Sequence, residues 1–281
     1  MLLTVRHEIS YAFARPASHV VEIVRLMPGN HGGQDVLDWR VRCPTADGLS
    51  AFTDGLGNEA SLISQRGPVE RFTVIAEGQV RTVDLGGVVA GAVETMPPAY
   101  YLRRTDQTAP TEPIVALAKK AAGEKAVLGR EALAKLAAGV AEQPEDLSSE
   151  PDETASEAET EITEPDAGAA PERAHVFIAA ARALGVPARC VSGYLWTGEE
   201  KGASEEADRP FAPHAWAEAW TEADGWVGFD PAQGGPVGAA HVRVAIGLDY
   251  RQAAPVTSHQ RGAGELTLDV FGHIQAAESG Q

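Results

Sequence analysis

The stretch from His175 to Tyr194 constrains this chain more than any other. Val176, Phe177, Ala180, Ala181 and Leu184 recur at helical spacing and make one apolar stripe. Gly185 follows as a helix terminator, and Pro187 forbids continuation. Residues 188–195 then read as a strand. Further strand-like runs follow at 213–220, 226–230 and 242–246, and 265–271 reads as the last. One helix followed by several antiparallel strands is an α+β arrangement.

The first 85 residues have a different period. Leu3, Val5, His7, Ile9 and Tyr11 alternate with Thr4, Arg6, Glu8 and Ser10, and Leu37, Trp39, Val41 and Cys43 alternate with Asp38, Arg40 and Arg42. Asp54-Gly-Leu-Gly-Asn58 is a turn cluster between such runs. This pattern predicts an N-terminal antiparallel β domain, as a sheet or small sandwich, over 1–85. Residues 86–111 are a crossing rich in Gly and Pro, in which Tyr100 to Thr105 is a candidate to pack along the core. From 112 onward the chain reads as that core, beginning with two helices. Ile114, Leu117, Ala118 and Ala121 fit the face of one, and Leu133, Leu136, Ala137 and Val140 that of the other.

The net charge of −17 is unevenly placed. Within 142–167 Asp and Glu recur without Lys between Glu142 and Asp166, and Leu147 and Ile162 are the only sizeable apolar residues. So few apolar groups cannot offset a backbone ordering cost of about 1–2 kcal/mol per residue, so this insertion is expected to be disordered. It reads as a solvated insertion or, alternatively, as a docking tail or a lid. A second acidic loop lies at 199–208. Outside these stretches the charge is mild. Nucleic acid is excluded as a partner because phosphate binding needs clustered Lys and Arg. No apolar run reaches the roughly 20 residues of a membrane span, and the N-terminus has no signal-peptide pattern. The expectation is a cytoplasmic protein with no membrane partner. The two cysteines, Cys43 and Cys190, sit at apolar strand positions and read as buried free thiols.

Three segments then carry a resemblance. They are His175 to Tyr194, His214-Ala-Trp-Ala-Glu-Ala-Trp220 and Gly225-Trp-Val-Gly-Phe-Asp230-Pro231. In order and spacing they resemble the core of the bacterial transglutaminase-like family, relatives of papain-type cysteine hydrolases. Leu3-Thr-Val-Arg-His7 and Phe52-Thr-Asp-Gly-Leu-Gly-Asn58 resemble the β domain that precedes that core. The resemblance implies a Cys-His-Asp triad whose Cys opens the helix after a Gly-x-Cys turn. His214 matches the base and Asp230 the carboxylate. The turn itself reads Gly168-Ala169-Ala170, and the family's Cys-x-Asp-x-Ala-His becomes Ala170-Pro-Glu-Arg-Ala-His175. Ala170 therefore stands at the nucleophile's position and Glu172 where an Asp is usual. The stretch with His241, Arg243, Asp249, Tyr250 and Arg251 also resembles one that follows the Asp in this family.

Thiol acyl transfer needs a thiolate at a helix start, an imidazole within reach, a carboxylate to fix its tautomer, and donors for the oxyanion. Without the sulfur, the expected function is that of a pseudoenzyme. It would bind a peptide- or amide-type ligand or an active paralogue. Glu172, Trp216 and Arg243 are its groove candidates, Arg243 to orient a carboxylate or else to form a surface ion pair. The alternative is an active amide hydrolase or acyltransferase that uses His214 and Asp230 with water or another nucleophile. No Cys pair or His-x-x-x-His spacing marks a metal, and no Gly-rich loop marks a nucleotide, so no metal and no cofactor are expected.

Overall fold

The structure, a computed structural model, describes residues 1–46, 48–123, 129–143, 162–163, 169–198, 213–261 and 266–277. Most of the insertion expected at 142–167, and the acidic loop at 199–208, lie outside them.

The alternation at the N-terminus produces one long strand, β1 (Leu2–Val24), with Leu3, Val5, His7, Ile9 and Tyr11 buried. It is followed by β2 (Gln34–Arg42), β3 (Leu49–Thr53) and β4 (Glu59–Thr82), and β4 pairs antiparallel with all three. The crossing passes through two short 3-10 turns, at Pro98–Leu102 and Asp106–Thr108. Helices α1 (Glu112–Ala122) and α2 (Arg130–Ala141) come next and bury the expected Ile114, Ala118, Leu133, Leu136, Ala137 and Val140. A two-residue strand, β5 (Ile162–Thr163), precedes α3 (Ala170–Ala183).

Helix α3 ends as its sequence dictates. Gly185 adopts φ 79°, the Gly185 N–H bonds the Arg182 carbonyl, and the Val186 N–H bonds the Ala181 carbonyl, both at 3.0 Å. This pair of bonds is a Schellman cap. After it come β6 (Ala188–Leu195), β7 (His214–Thr221), β8 (Gly225–Asp230), β9 (Gly235–Pro236) and β10 (His241–Gly247), which form a second antiparallel sheet in the order β10-β6-β7-β8-β9. Side chains alternate across a strand. Ala215, Ala217 and Ala219 of β7 pack with Ala174, Phe177 and Phe229 in the α3 core, which puts Trp216 and Glu218 on the opposite face. The fold is thus α+β, an antiparallel β domain followed by a helix packed on an antiparallel sheet.

One expectation is corrected. Residues 112–281 do not form the core alone. After the short helix α4 (Tyr250–Ala253), strands β11 (Val256–Arg261) and β12 (Leu266–Ala276) return to the first sheet and pair with β1. The cause is hydrogen-bonding demand. Strand β4 covers one side of β1, and the row of N–H and C=O groups on the other side needs partners along most of its length. β12 supplies them for Leu3–Phe13 and β11 for His19–Val24. Leu266, Leu268 and Ile274 pack inward against the buried residues of that sheet.

The two sheets are joined by side-chain amides. Strand β10 is the edge of the second sheet. The Gln34 amide pairs both backbone groups of Arg243, each at 2.8 Å. Asn58 does the same for Ile246, at 2.9 and 2.8 Å. The crossing adds to the sheet's far side, where Val89 N–H bonds the Trp226 carbonyl at 2.9 Å and Gly228 N–H the Gly87 carbonyl at 2.8 Å.

Candidate active site

His214 opens β7 and Asp230 closes β8. The imidazole Nε2 lies 2.7 Å from Asp230 Oδ2, and the side chains are 13% and 1% exposed. A second histidine completes the group. His241, first residue of β10, places its Nε2 3.1 Å from the same Oδ2. Asp230 Oδ1 accepts from the Ala232 N–H at 2.9 Å and the Gln233 N–H at 3.2 Å. Burial alone would raise the carboxyl's pKa. The hydrogen bonds from His214 and His241 outweigh it and hold Asp230 well below the usual carboxylate range. Asp230 is therefore an anion fixed by four donors, and His214 is held with Nε2 as donor and Nδ1 free of the carboxylate. That is the orientation a general base needs.

Three ligand-type atoms of His214, Asp230 and His241 lie within 4.8 Å of one another. The sequence, with its histidines far apart, gave no expectation of such a cluster. Its hydrogen bonding fits a relay rather than a metal. The Gly238 N–H donates to His241 Nδ1 at 3.2 Å, so the His241 proton sits on Nε2 and points at Asp230. A metal-bound imidazole has the reverse arrangement, with its outer nitrogen donating. His241 was singled out in sequence only as part of a familiar stretch, and its bond to Asp230 had no signal of its own.

Ala170 is the first residue of α3 and is buried, with Pro171 behind it. Arg182, in the last turn of that helix, bonds the Ala188 carbonyl, and Ala188 pairs with Ala219 near the end of β7. The helix start therefore lies toward the other end of β7, where His214 is. The loop after Asp230 agrees with this. Arg173 bonds the Ala141 carbonyl at 3.0 Å, and a Cβ on Gly234 would sit 3.1 Å from the Ala141 methyl. Glu172 is exposed in the first turn of α3.

Trp216 and Arg243 are on the far face of the sheet. Trp216 stacks on His214 (centroids 6.1 Å, 30°) and meets His241 edge-on at 5.3 Å. Gly193 makes room for it, since a Cβ there would meet the Trp216 ring at 2.7 Å and the Val242 carbonyl at 2.1 Å. Arg243 donates to Glu218 Oε1 at 2.7 Å, and Arg189 to Glu218 Oε2 at 2.6 Å. Arg189 also grips Glu94 of the crossing through two bonds of 2.7 and 2.9 Å and lies 3.9 Å from the Trp226 ring centroid. Burial would raise the Glu218 pKa, but the Arg243 and Arg189 charges bring it down to about 2. Arg243 is thus an interior ion-pair member rather than a surface one, and Glu172 does not share its cleft.

Both cysteines are free and buried away from this group. Burial pushes both thiols above their ordinary range, Cys190 the further.

The helix-on-sheet core with its His-Asp pair defines a transglutaminase-like, cysteine-protease-like frame. Residues 3–81 match the bacterial transglutaminase-like N-terminal region and 115–231 the transglutaminase-like superfamily, so the chain belongs to the bacterial transglutaminase-like proteins. An uncharacterised Mycobacterium leprae protein is 25% identical over 276 residues, covering 97% of this chain and 98% of its own. A Mycobacterium tuberculosis protein is 32% identical over 115 residues, 35% of its length. The crystal structure of a candidate cysteine protease from Cytophaga hutchinsonii superposes with a TM-score of 0.69 at 18% identity, covering 100% of this chain and 92% of that one. No described helix is long and apolar enough to cross a membrane.

Proposed function

We propose that this chain is a transglutaminase-like pseudoenzyme. It keeps the His214–Asp230 pair without a nucleophile and binds a peptide- or amide-type ligand, or an active relative, in the cytoplasm. The observation that carries the reading is Ala170, the first residue of α3, where the family resemblance calls for cysteine. A methyl group has no lone pair, so no acyl-enzyme can form there. Two further facts support it. Cys43 and Cys190 are buried thiols with raised pKa, poor nucleophiles by position and by ionisation. Asp230 is meanwhile kept ionised and fully hydrogen-bonded, so the pair is retained even though the sulfur is gone.

The test is Ala170→Cys with Cys43 and Cys190 replaced by alanine, read by the pH dependence of iodoacetamide alkylation. The expected thiol pKa is well below the reference of about 8.5, because the helix start and His214 stabilise the thiolate. An ordinary pKa would mean that Ala170 is not the nucleophile's position. Peptide hydrolysis by the unsubstituted protein, abolished by His214→Ala, would replace the pseudoenzyme with a hydrolase that activates water, and amine incorporation with an acyltransferase that activates the amine.

A further inference from the structure

A strand at the edge of a sheet leaves a row of N–H and C=O groups unpaired, and proteins guard such edges with charges, bulges or brevity. The first sheet guards its long β2 edge. That strand carries Asp35, Asp38, Arg40 and Arg42, and its register shifts between Val36 and Asp38. The β12 edge has no such guard. It runs for 11 residues without Pro, Lys or Arg, and it pairs with β1 in unbroken register from Leu266–Phe13 to Ala276–Leu3. Its outer edge pairs with no strand among the described residues. Side chains alternate between its faces. Leu266, Leu268 and Ile274 are partly buried on the inner face, and Asp269, Phe271 and His273 are exposed on the outer one. Phe271, at the middle of the strand, is 49% exposed. Neither Asp269 nor His273 has a hydrogen bond or ion pair among the described residues.

A second copy of the same strand fits this edge. Two antiparallel strands in one sheet pair residues that point to the same face, so a two-fold axis normal to the sheet must run between two copies of one residue. With the axis at Phe271 the whole of β12 is paired. Asp269 then faces His273 of the second copy, and the symmetry repeats that pair on the other side of the axis. Phe271 faces its own copy. On the inner face Leu268 faces Ile274 of the second copy, and Leu266 faces Ala276 of the second copy. Moving the axis one residue either way shortens the ladder and sets Asp269 against Phe271 or Gln275 instead. No such match is offered to Asp269 by β1, whose opposing residue is Ser10, and Arg6 opposite His273 is already held by Glu8 and Glu77. We propose that the protein is a homodimer in which two β12 strands pair antiparallel about Phe271 and join two first sheets into one. The pairing makes about ten backbone hydrogen bonds, and the two-fold closes it at two copies. The surface shares no residue with the His214 group, so it does not rest on the pseudoenzyme reading.

The experiment is sedimentation velocity on the full chain over a range of concentrations. The expected result is a species of twice the chain mass that dissociates on dilution. His273→Glu sets a carboxylate against Asp269 of the second copy on both sides of the axis, and should raise the dissociation constant roughly tenfold. Asp269→Lys combined with His273→Glu exchanges the two charges, and should bring the constant back near that of the unsubstituted protein. Phe271→Lys, which places two ammonium groups on the axis, should weaken the dimer as well. All three positions are exposed in the single chain, so circular dichroism should show an unchanged fold in each variant. A monomer at every concentration would overturn the proposal. So would a dimer indifferent to His273→Glu and Phe271→Lys, a double variant as weak as His273→Glu alone, or growth beyond two copies.

Discussion

At the scale of single residues, this protein stores its pH dependence in a few buried groups. His175 sits inside α3, 6% exposed, and its Nε2 accepts the Tyr250 N–H at 2.9 Å. Burial first, and Arg182 next in that direction, lower its pKa from 6.5 to about 4. The unfolded chain therefore binds this proton more readily, so the stability the neutral ring contributes is complete above pH 6.5 and is lost as pH falls toward 4. Glu218 acts lower down. Its pKa of about 2 against an ordinary 4.5 gives stability present above 4.5 and lost on the way to 2. Denaturant unfolding measured from pH 7 to pH 3 should show both declines in turn. His175→Phe should flatten the first, leaving the part due to His31, whose pKa burial also lowers to about 4, and should cost about 1–3 kcal/mol at pH 7 for the abandoned Tyr250 N–H. An unchanged slope would mean that the His175 ring is hydrated or already charged in the native state.

At the scale of elements, the amide clamps decide how the β domain meets the core. Asn58 is 5% exposed and satisfies the N–H and C=O of Ile246 on the open side of β10. Asn58→Ala leaves both unpaired, and the expected loss is about 2–4 kcal/mol, with hydrogen exchange at Ile246 rising more than at residues 190–192. A loss under about 0.5 kcal/mol would mean that water replaces the amide. This clamp bears on what the sequence could tell. Phe52 to Asn58 was recognisable as a family motif, but its alternation and its glycines account only for a turn. The reason for Asn58 lies 188 positions away, and local pattern has no access to it. The same distinction separates His214 and Asp230, legible from their motifs, from His241, whose Asp230 bond depends on how β10 lies in the sheet. The Gly185 cap of α3 was legible because it is local backbone chemistry, and the α3 start because the family resemblance places it five residues before His175. The destination of β12 was not, since Leu266, Leu268 and Ile274 give the period of a half-buried strand without naming the sheet that covers it.

At the scale of the whole molecule, the first sheet is built from both ends of the described chain. Deleting residues 266–276 should uncover the edge of β1 along Leu3–Phe13, a long apolar template for foreign strands. The truncated protein is expected to form oligomers by light scattering and to melt earlier than the intact one. A stable monomer would show that β12 is an accessory strand.

The pairing of Leu3 with Ala276 also sets a timetable for synthesis. A ribosome releases β1 first and β12 last, at roughly 5–20 residues per second. For the many seconds between, β1 waits in a nascent chain with one side covered by β4 and the other bare. A fragment holding only 1–85, however well defined as a unit of homology, should behave as an unfinished sheet and call on chaperones. The α3 core, whose strands follow one another closely, has its partners at hand once α4 emerges just after β10. The core, begun after the first sheet, is therefore complete before it.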